Sequence, residues 1–219
     1  PNGEWVAFQG TSSDPSRSGL YLRPVSELDA RQMRAGDAAS PFFSPDSKSL
    51  GYWADGAIWR VPVDGGQPER ICDAPNQLRG ASWGDDGTVV FTDGKDGLLR
   101  RVPQRGVPAP VLTQPEAAHR VFFPHVLPGS KAILGMLLPE RTIALISLET
   151  GQILRRWFSG STPEYAQGFL IFRRSRDLFA VAFDRERQNV TGDPQAVGGP
   201  VRYNPGGSET SAFAMAMTG

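Results

Sequence analysis

The chain is poor in the residues from which most metal and nucleophile sites are built. Cys72 is its only cysteine, and His119 and His125 are its only histidines. One cysteine excludes an intrachain disulfide, and two histidines with one thiol cannot close a zinc site of nitrogen and sulfur ligands. No carboxylate spacing completes such a site, so neither metal nor cofactor is expected. An excess of charge of one sign is also missing, with 23 basic residues against 23 acidic ones. No electrostatic footprint for nucleic acid or anionic lipid follows from that balance. Long apolar runs are absent as well. The longest, Ala132 to Leu138, falls far short of the roughly 20 residues a membrane span needs, so direct membrane contact by this segment is not expected. No Gly-x-Ser-x-Gly elbow occurs, which removes the commonest exposed serine nucleophile.

What the chain does have is turn residues, 25 glycines and 19 prolines, placed between short apolar runs as in a sheet protein with many tight turns. Four turns stand at nearly constant spacing: Pro1-Asn2-Gly3, Ser44-Pro45-Asp46-Ser47, Gly84-Asp85-Asp86-Gly87 and Leu127-Pro128-Gly129-Ser130. The steps from Asn2 to Asp46, Asp86 and Gly129 are 44, 40 and 43 residues. A repeat of that length made of short strands predicts propeller blades, each a four-stranded antiparallel sheet.

The second repeat shows the pattern: Pro41 to Phe43, Leu50 to Trp53, Ala57 to Val63 and Glu69 to Cys72, with Asp55-Gly56 and Asp64-Gly65-Gly66 at the corners. Asp-Gly connections of this kind are strong hairpin signals. In its third strand Trp59, Val61 and Val63 share one face and Ile58, Arg60 and Pro62 the other, the period of a strand and not of a helix. The fifth repeat is more divergent, with Gly168 to Arg173 and Leu178 to Phe183 as its clear strands and an insertion read around Asn189 to Pro194. The whole chain is expected to be one all-β propeller domain with blades at about 1–36, 37–76, 77–118, 119–162 and 163–200. The first repeat lacks an innermost strand, and 210–219 carries a lone strand of that kind, Thr210 to Met217, that would complete it. Five repeats therefore describe either a closed five-bladed ring or part of a six-bladed or larger one. The chain begins inside a repeat turn and reads as a piece of something longer.

The phrase Phe43-Ser44-Pro45-Asp46-Ser47-Lys48-Ser49-Leu50-Gly51-Tyr52 resembles the blade signature of TolB-like, WD-repeat-like propellers. Longer stretches, Phe43 through Gly66, Cys72 through Gly87, His119 to Leu127 and Phe169 through Asp184, resemble the C-terminal propeller of bacterial eukaryotic-like serine/threonine protein kinases. No kinase element is present: no glycine-rich phosphate loop and no His-Arg-Asp. The resemblance implies a periplasmic or extracellular propeller tethered to a cytoplasmic output domain, in a family whose rings are commonly six-bladed.

Asp46, Asp55, Asp64, Asp86 and Asp96 sit in turns, where carboxylates bond nearby amides, and they read as structural and not as glycosidase pairs. The five tryptophans, 5, 53, 59, 83 and 157, read as blade-to-blade packing, Cys72 as a small buried thiol, and the histidines as structural. In the strand from His119, His119, Val121 and Phe123 are expected to alternate with Arg120, Phe122 and Pro124. Arg79, His119, Arg120, Glu164 and Glu209 precede or open successive inner strands. They are the candidate contacts around one end of the channel, for a protein, peptide or glycan ligand. The expectation is a non-catalytic sensor or interaction module. A gating propeller beside a prolyl-oligopeptidase-like hydrolase and a purely structural scaffold are the alternatives.

Overall fold

The computed structural model describes residues 2–103, 107, 109–110 and 120–198, and these form five successive antiparallel sheets. Among the described residues blade 1 has three strands, β1 (Trp5–Gly10), β2 (Gly19–Pro24) and β3 (Arg31–Ala35). Blade 2 holds β4 (Ala39–Phe43), β5 (Ser49–Ala54), β6 (Ala57–Pro62) and β7 (Glu69–Asp73). Blade 3 holds β8 (Ala81–Trp83), β9 (Val89–Thr92), β10 (Leu99–Val102) and β11 (Ala109–Pro110). Blade 4 holds β12 (Arg120–Val126), β13 (Ala132–Leu138), β14 (Thr142–Ser147) and β15 (Ile153–Ser159). Blade 5 holds β16 (Ser161–Ala166), β17 (Phe169–Arg174), β18 (Asp177–Asp184) and β19 (Asn189–Gly198). Within each sheet the strands lie in chain order, and β4, β8, β12 and β16 pack against the inner strands of the neighbouring blades. That is the architecture of a β-propeller.

Four apolar clusters occupy the four seams between consecutive blades. Leu20 and Leu22 meet Leu50 and Tyr52 in the first, and Ile58 and Ile71 meet Val89 and Phe91 in the second. Val90 and Leu99 meet Ile133 and Ile146 in the third, and Leu134 and Leu145 meet Leu170 and Phe172 in the fourth. A blade inside the row is buried on both faces, which is why β13 reads as a near-continuous apolar run. All five tryptophans join these seams, as the sequence predicts.

The two-residue corner between β5 and β6 has Asp55 at φ 49° and Gly56 at φ 71°, the paired left-handed geometry that an Asp-Gly hairpin requires. The Asp46 carboxylate accepts from the Ser44 hydroxyl (2.6 Å) and the Lys48 amide (3.1 Å). These two bonds, the hydroxyl first, hold its pKa below the ordinary value. The turns also lock blade to blade: the Asn2 N–H donates to Ser47 Oγ (3.0 Å), and the Gly129 N–H donates to Asp85 Oδ2 (2.7 Å).

Two sequence expectations change. Asn189 to Pro194 is not an insertion but the first part of β19, a ten-residue strand. The register against β18 shifts between Ala180 and Ala182, and Gly192 lies at φ 81°. An outermost strand tolerates a bulge and a proline that a central one does not. The second change is on the inner strands, where a bulge interrupts the alternation expected over 119–125. Residues 40–41, 123–124 and 162–163 each stand opposite a single residue of the next strand. Ser40, Phe123 and Thr162 have φ of 53°, 55° and 49°, and Gly80 holds the same place in blade 3 at φ 115°. A bulge leaves one residue unpaired, and the proline that follows at 41, 124 and 163 has no N–H to leave unsatisfied. The bulge also resets the faces: Val121 and Val126 share the seam with blade 3, five residues apart. The expected strand over 210–217 lies outside the described residues.

Gly51 shows how closely the inner strand approaches its neighbour. A Cβ there would collide with the Phe42 ring, which is itself held against Trp83 with centroids 5.9 Å apart. Gly51→Ala is expected to destabilise the fold by about 1–3 kcal/mol, and Phe42→Leu in the same chain to recover part of that loss. Urea denaturation of the two single variants and the double variant measures the coupling.

Candidate functional site

The inner strands set a common scale, counted from the left-handed residue of each blade. Arg79 stands one residue before Gly80. Its N–H donates to the Thr92 carbonyl (2.9 Å) and its carbonyl accepts from the Phe123 N–H (2.8 Å), so its backbone ties blade 3 to blade 4. Its guanidinium lies 5.8 Å from the centre of the Phe122 ring, the residue at the same level of the next blade. Such a cation–π contact is worth roughly 0.5–1 kcal/mol when exposed. Arg120 opens β12 three residues before Phe123 and is exposed. Its Cβ, Cγ and Cδ lie where a side chain on Gly97 would stand, 2.7–2.8 Å from a built Cβ. Gly97, at φ 70°, completes the β9–β10 corner and leaves that room.

Arg79 and Arg120 therefore lie on the same side of the bulge, towards the connections that enter the inner strands. Glu164 does not join them: it is the fourth residue of β16, two past Thr162, level with Ser82 and His125. His119 and Glu209 lie outside the described residues. Phe122, the ring beneath Arg79, was not among the residues singled out from the sequence; the repeated Phe-Pro and Ser-Pro steps at 123–124 and 40–41 were the available signal for its level.

A cleft of ≈ 270 Å³ opens between blades 2 and 3, lined by Asp73, Pro75, Phe91, Asp93 and Arg100. Asp93 is buried and accepts from Asn76 Nδ2 (3.1 Å) and from the Lys95 N–H (2.9 Å), with Arg100 Nε 3.9 Å away. Arg100 Nη2 donates to Asp96 Oδ2 at 2.6 Å. The charges around this cleft are thus paired with one another. Arg101, on the opposite face, reaches across the seam to the Leu148 carbonyl (2.9 Å).

Past the bulge, the residue two beyond the left-handed position faces the following blade. Phe42 meets Trp83, and Ser82 Oγ accepts from the Val126 N–H (3.0 Å). His125 occupies this position in blade 4. It keeps some surface area, yet the surrounding inner strands displace most of the water around its ring, and that loss of solvation pushes the imidazole down from 6.5 to about 4. Burial likewise pushes the Cys72 thiol up to about 12, which keeps it an unreactive thiol at neutral pH.

No protein-family model matches the chain. Among curated proteins, dipeptidyl-peptidase 5 of Aspergillus oryzae is 29% identical over 119 residues, 42% of this chain and 16% of that protein. Among solved structures, a putative TolB from Agrobacterium tumefaciens matches 79% of this chain and 66% of its own, at 15% identity and a TM-score of 0.60. The Cps50 (Swd1) propeller of Myceliophteria thermophila matches 84% of this chain and 63% of its own, at 12% identity and a TM-score of 0.65. Puromycin hydrolase matches 92% of this chain and 36% of its own, at 15% identity and a TM-score of 0.57. The fold is that of the TolB-like and WD-repeat-like β-propellers. The chain spans less than two thirds of each of these proteins.

The depressed His125 pKa makes a signed prediction. Between pH 6.5 and 4 the unfolded chain binds a proton that the folded chain does not, so the histidine's contribution to stability is complete above pH 6.5 and is lost as pH falls towards 4. Thermal melts from pH 7.5 to 4 should show an acid-side loss of Tm in the parent chain, and a shallower one in His125→Gln. Parallel slopes in the two chains would count against this assignment.

Proposed function

We propose that this propeller is a non-catalytic sensor or interaction module that binds its ligand at the end of the channel holding Arg79 and Arg120. The observation that carries the reading is the contrast in how charges are used. The carboxylates of Asp46, Asp86, Asp93 and Asp96 are engaged by their own turns or by neighbouring side chains. Arg120, by contrast, is exposed, and the Arg79 guanidinium rests on an aromatic face, which leaves its N–H edge for an acceptor. Two guanidinium groups on adjacent blades suit a carboxylate-bearing ligand, an acidic peptide segment or an acidic glycan, free or displayed on a protein. By resemblance the module is the periplasmic or extracellular part of a bacterial signalling protein such as a serine/threonine kinase.

The second reading is the gating propeller of a hydrolase, favoured by the partial match to dipeptidyl-peptidase 5 and the fold match to puromycin hydrolase. In that case the same channel end would face a catalytic domain.

A thermal-shift panel of muropeptides, acidic oligosaccharides and short acidic peptides tests the first reading. A ligand that binds only the folded chain adds about 2.7 kcal/mol at 100 times its Kd, and Arg79→Ala and Arg120→Ala should each abolish most of the shift. A shift that survives both substitutions would move the site elsewhere, and a flat panel would remove the sensor reading.

A further inference from the structure

The seam between blades 2 and 3 carries charge where the seams beside it are apolar. Asp93 follows β9 and lines the cleft towards blade 2, at the place that Ala54 holds in blade 2 and Leu137 in blade 4, both 0% exposed. Arg100 stands across from Phe91 in the β9–β10 pairing. In the same register Trp59 stands across from Tyr52, Ala144 from Gly135 and Phe179 from Phe172. An ion pair buried in place of packed apolar side chains brings little stability, because desolvation offsets the attraction. The packing of the seam therefore gives no reason for this pair.

The pair is also left open. Arg100 Nη2 is bonded to Asp96, but Nε stands 3.9 Å from Asp93 Oδ2, too far for a hydrogen bond. Asp93 Oδ1 accepts from the Lys95 N–H at 2.9 Å, whereas Oδ2 has only the Asn76 amide at 3.3 Å among the described residues. Nε and Nη1 of Arg100 donate no hydrogen bond to a described residue. The cleft of ≈ 270 Å³ opens onto these free edges, with Pro75 and Phe91 as its apolar lining. Both walls are held in place. Trp53 Nε1 donates to the Ala74 carbonyl (2.8 Å), and a Cβ on Gly94 would stand 1.9 Å from the Gln77 carbonyl oxygen, so the β9–β10 corner lies directly on the connection from blade 2. An acceptor and a donor fixed in this way lose little freedom on binding.

We propose that this cleft binds a small zwitterion, an α-amino acid with an aliphatic side chain, at a site separate from the channel end. Its ammonium donates to Asp93 Oδ2 and its carboxylate accepts from the free edge of Arg100, and charge-assisted bonds of this kind are the strong ones. Its side chain lies along Pro75 and Phe91. A simple anion meets Asp93 and the rim carboxylate of Asp73, which is paired with Arg70, and a simple cation meets the Arg100 guanidinium. Only a ligand carrying both signs leaves no like charges opposed. The volume lies just below the range of drug-sized pockets, about 300–1,000 Å³, and suits a molecule of this size.

Calorimetric titration of the full 219-residue chain with L-leucine, isocaproate and isoamylamine tests the proposal. Leucine should bind, and the analogues that lack the ammonium or the carboxylate should bind at least about tenfold more weakly. Asp93→Ala combined with Arg100→Trp copies the Ala54 and Trp59 arrangement of blade 2 into blade 3. That double variant should keep a cooperative melt and lose leucine binding. Asp93→Asn takes its place if the double variant does not fold. No binding at millimolar leucine, by heat or by thermal shift, overturns the proposal. So does an analogue that binds as tightly as leucine, or leucine binding that survives the substitutions.

Discussion

The constraint on which the structure depends is that an interior blade has no solvent face. Each sheet must present an apolar surface to the blade before it and another to the blade after it, and four seams satisfy this for blades 2, 3 and 4. A two-faced sheet cannot use ordinary amphipathic alternation, so the register that holds side chains in the correct seam must be fixed by other means. Here the turns supply part of it through Asn2 and Ser47 and through Asp85 and Gly129. The inner-strand bulge supplies the rest, because it pins one residue in each of blades 2 to 5 at positive φ and sets which residues face which neighbour.

Legibility in the sequence follows the same division. The Asp55-Gly56 corner and the period of the Ser44-Pro45-Asp46 turns were readable because their geometry demands particular residues locally. The packing of the tryptophans was also readable, since it follows from the size of the side chains. The bulge was not. Ser40, Phe123 and Thr162 share no side-chain chemistry, and only the following proline marks them, a residue that ordinarily argues against a strand interior. β19 was missed for a related reason: Gly192, Asp193 and Pro194 read as a loop, yet an outermost strand has a free edge on which such residues are tolerated.

The candidate site shows what a misplaced register does to a functional reading. Grouping Arg79, Arg120 and Glu164 as openings of inner strands assumed that every inner strand starts at the same level. Counted from the left-handed residue, Glu164 falls beyond the bulge with Ser82 and His125, while the two arginines fall before it. The inner strands are divided accordingly into a level with guanidinium groups before the bulge and a level with an imidazole and a carboxylate after it. Arg79 shows how firmly an inner-strand residue is held. Its backbone is bonded on both sides, to Thr92 and to Phe123, and its side chain is laid against Phe122. Little conformational freedom then remains at this position.

The bulge and the site are linked by a last step. A residue whose backbone N–H and C=O are both used in bonding along and between blades can change its side chain without changing the fold, provided the new side chain fits the channel. The level of Arg79 carries Ala39, Phe122 and Ser161 in the other blades, four different chemistries on one backbone geometry. The level three past the left-handed residue carries only apolar residues, Phe43, Trp83, Val126 and Tyr165. At the first level Arg79 and Phe122 keep part of their surface in solvent while Ala39 and Ser161 are buried; at the second every member packs against a neighbour. Side-chain exchange just before the bulge is thus freest where that level is partly open, as at Arg79 and at the exposed Arg120, and most restricted where it is buried, as at Ala39 and Ser161.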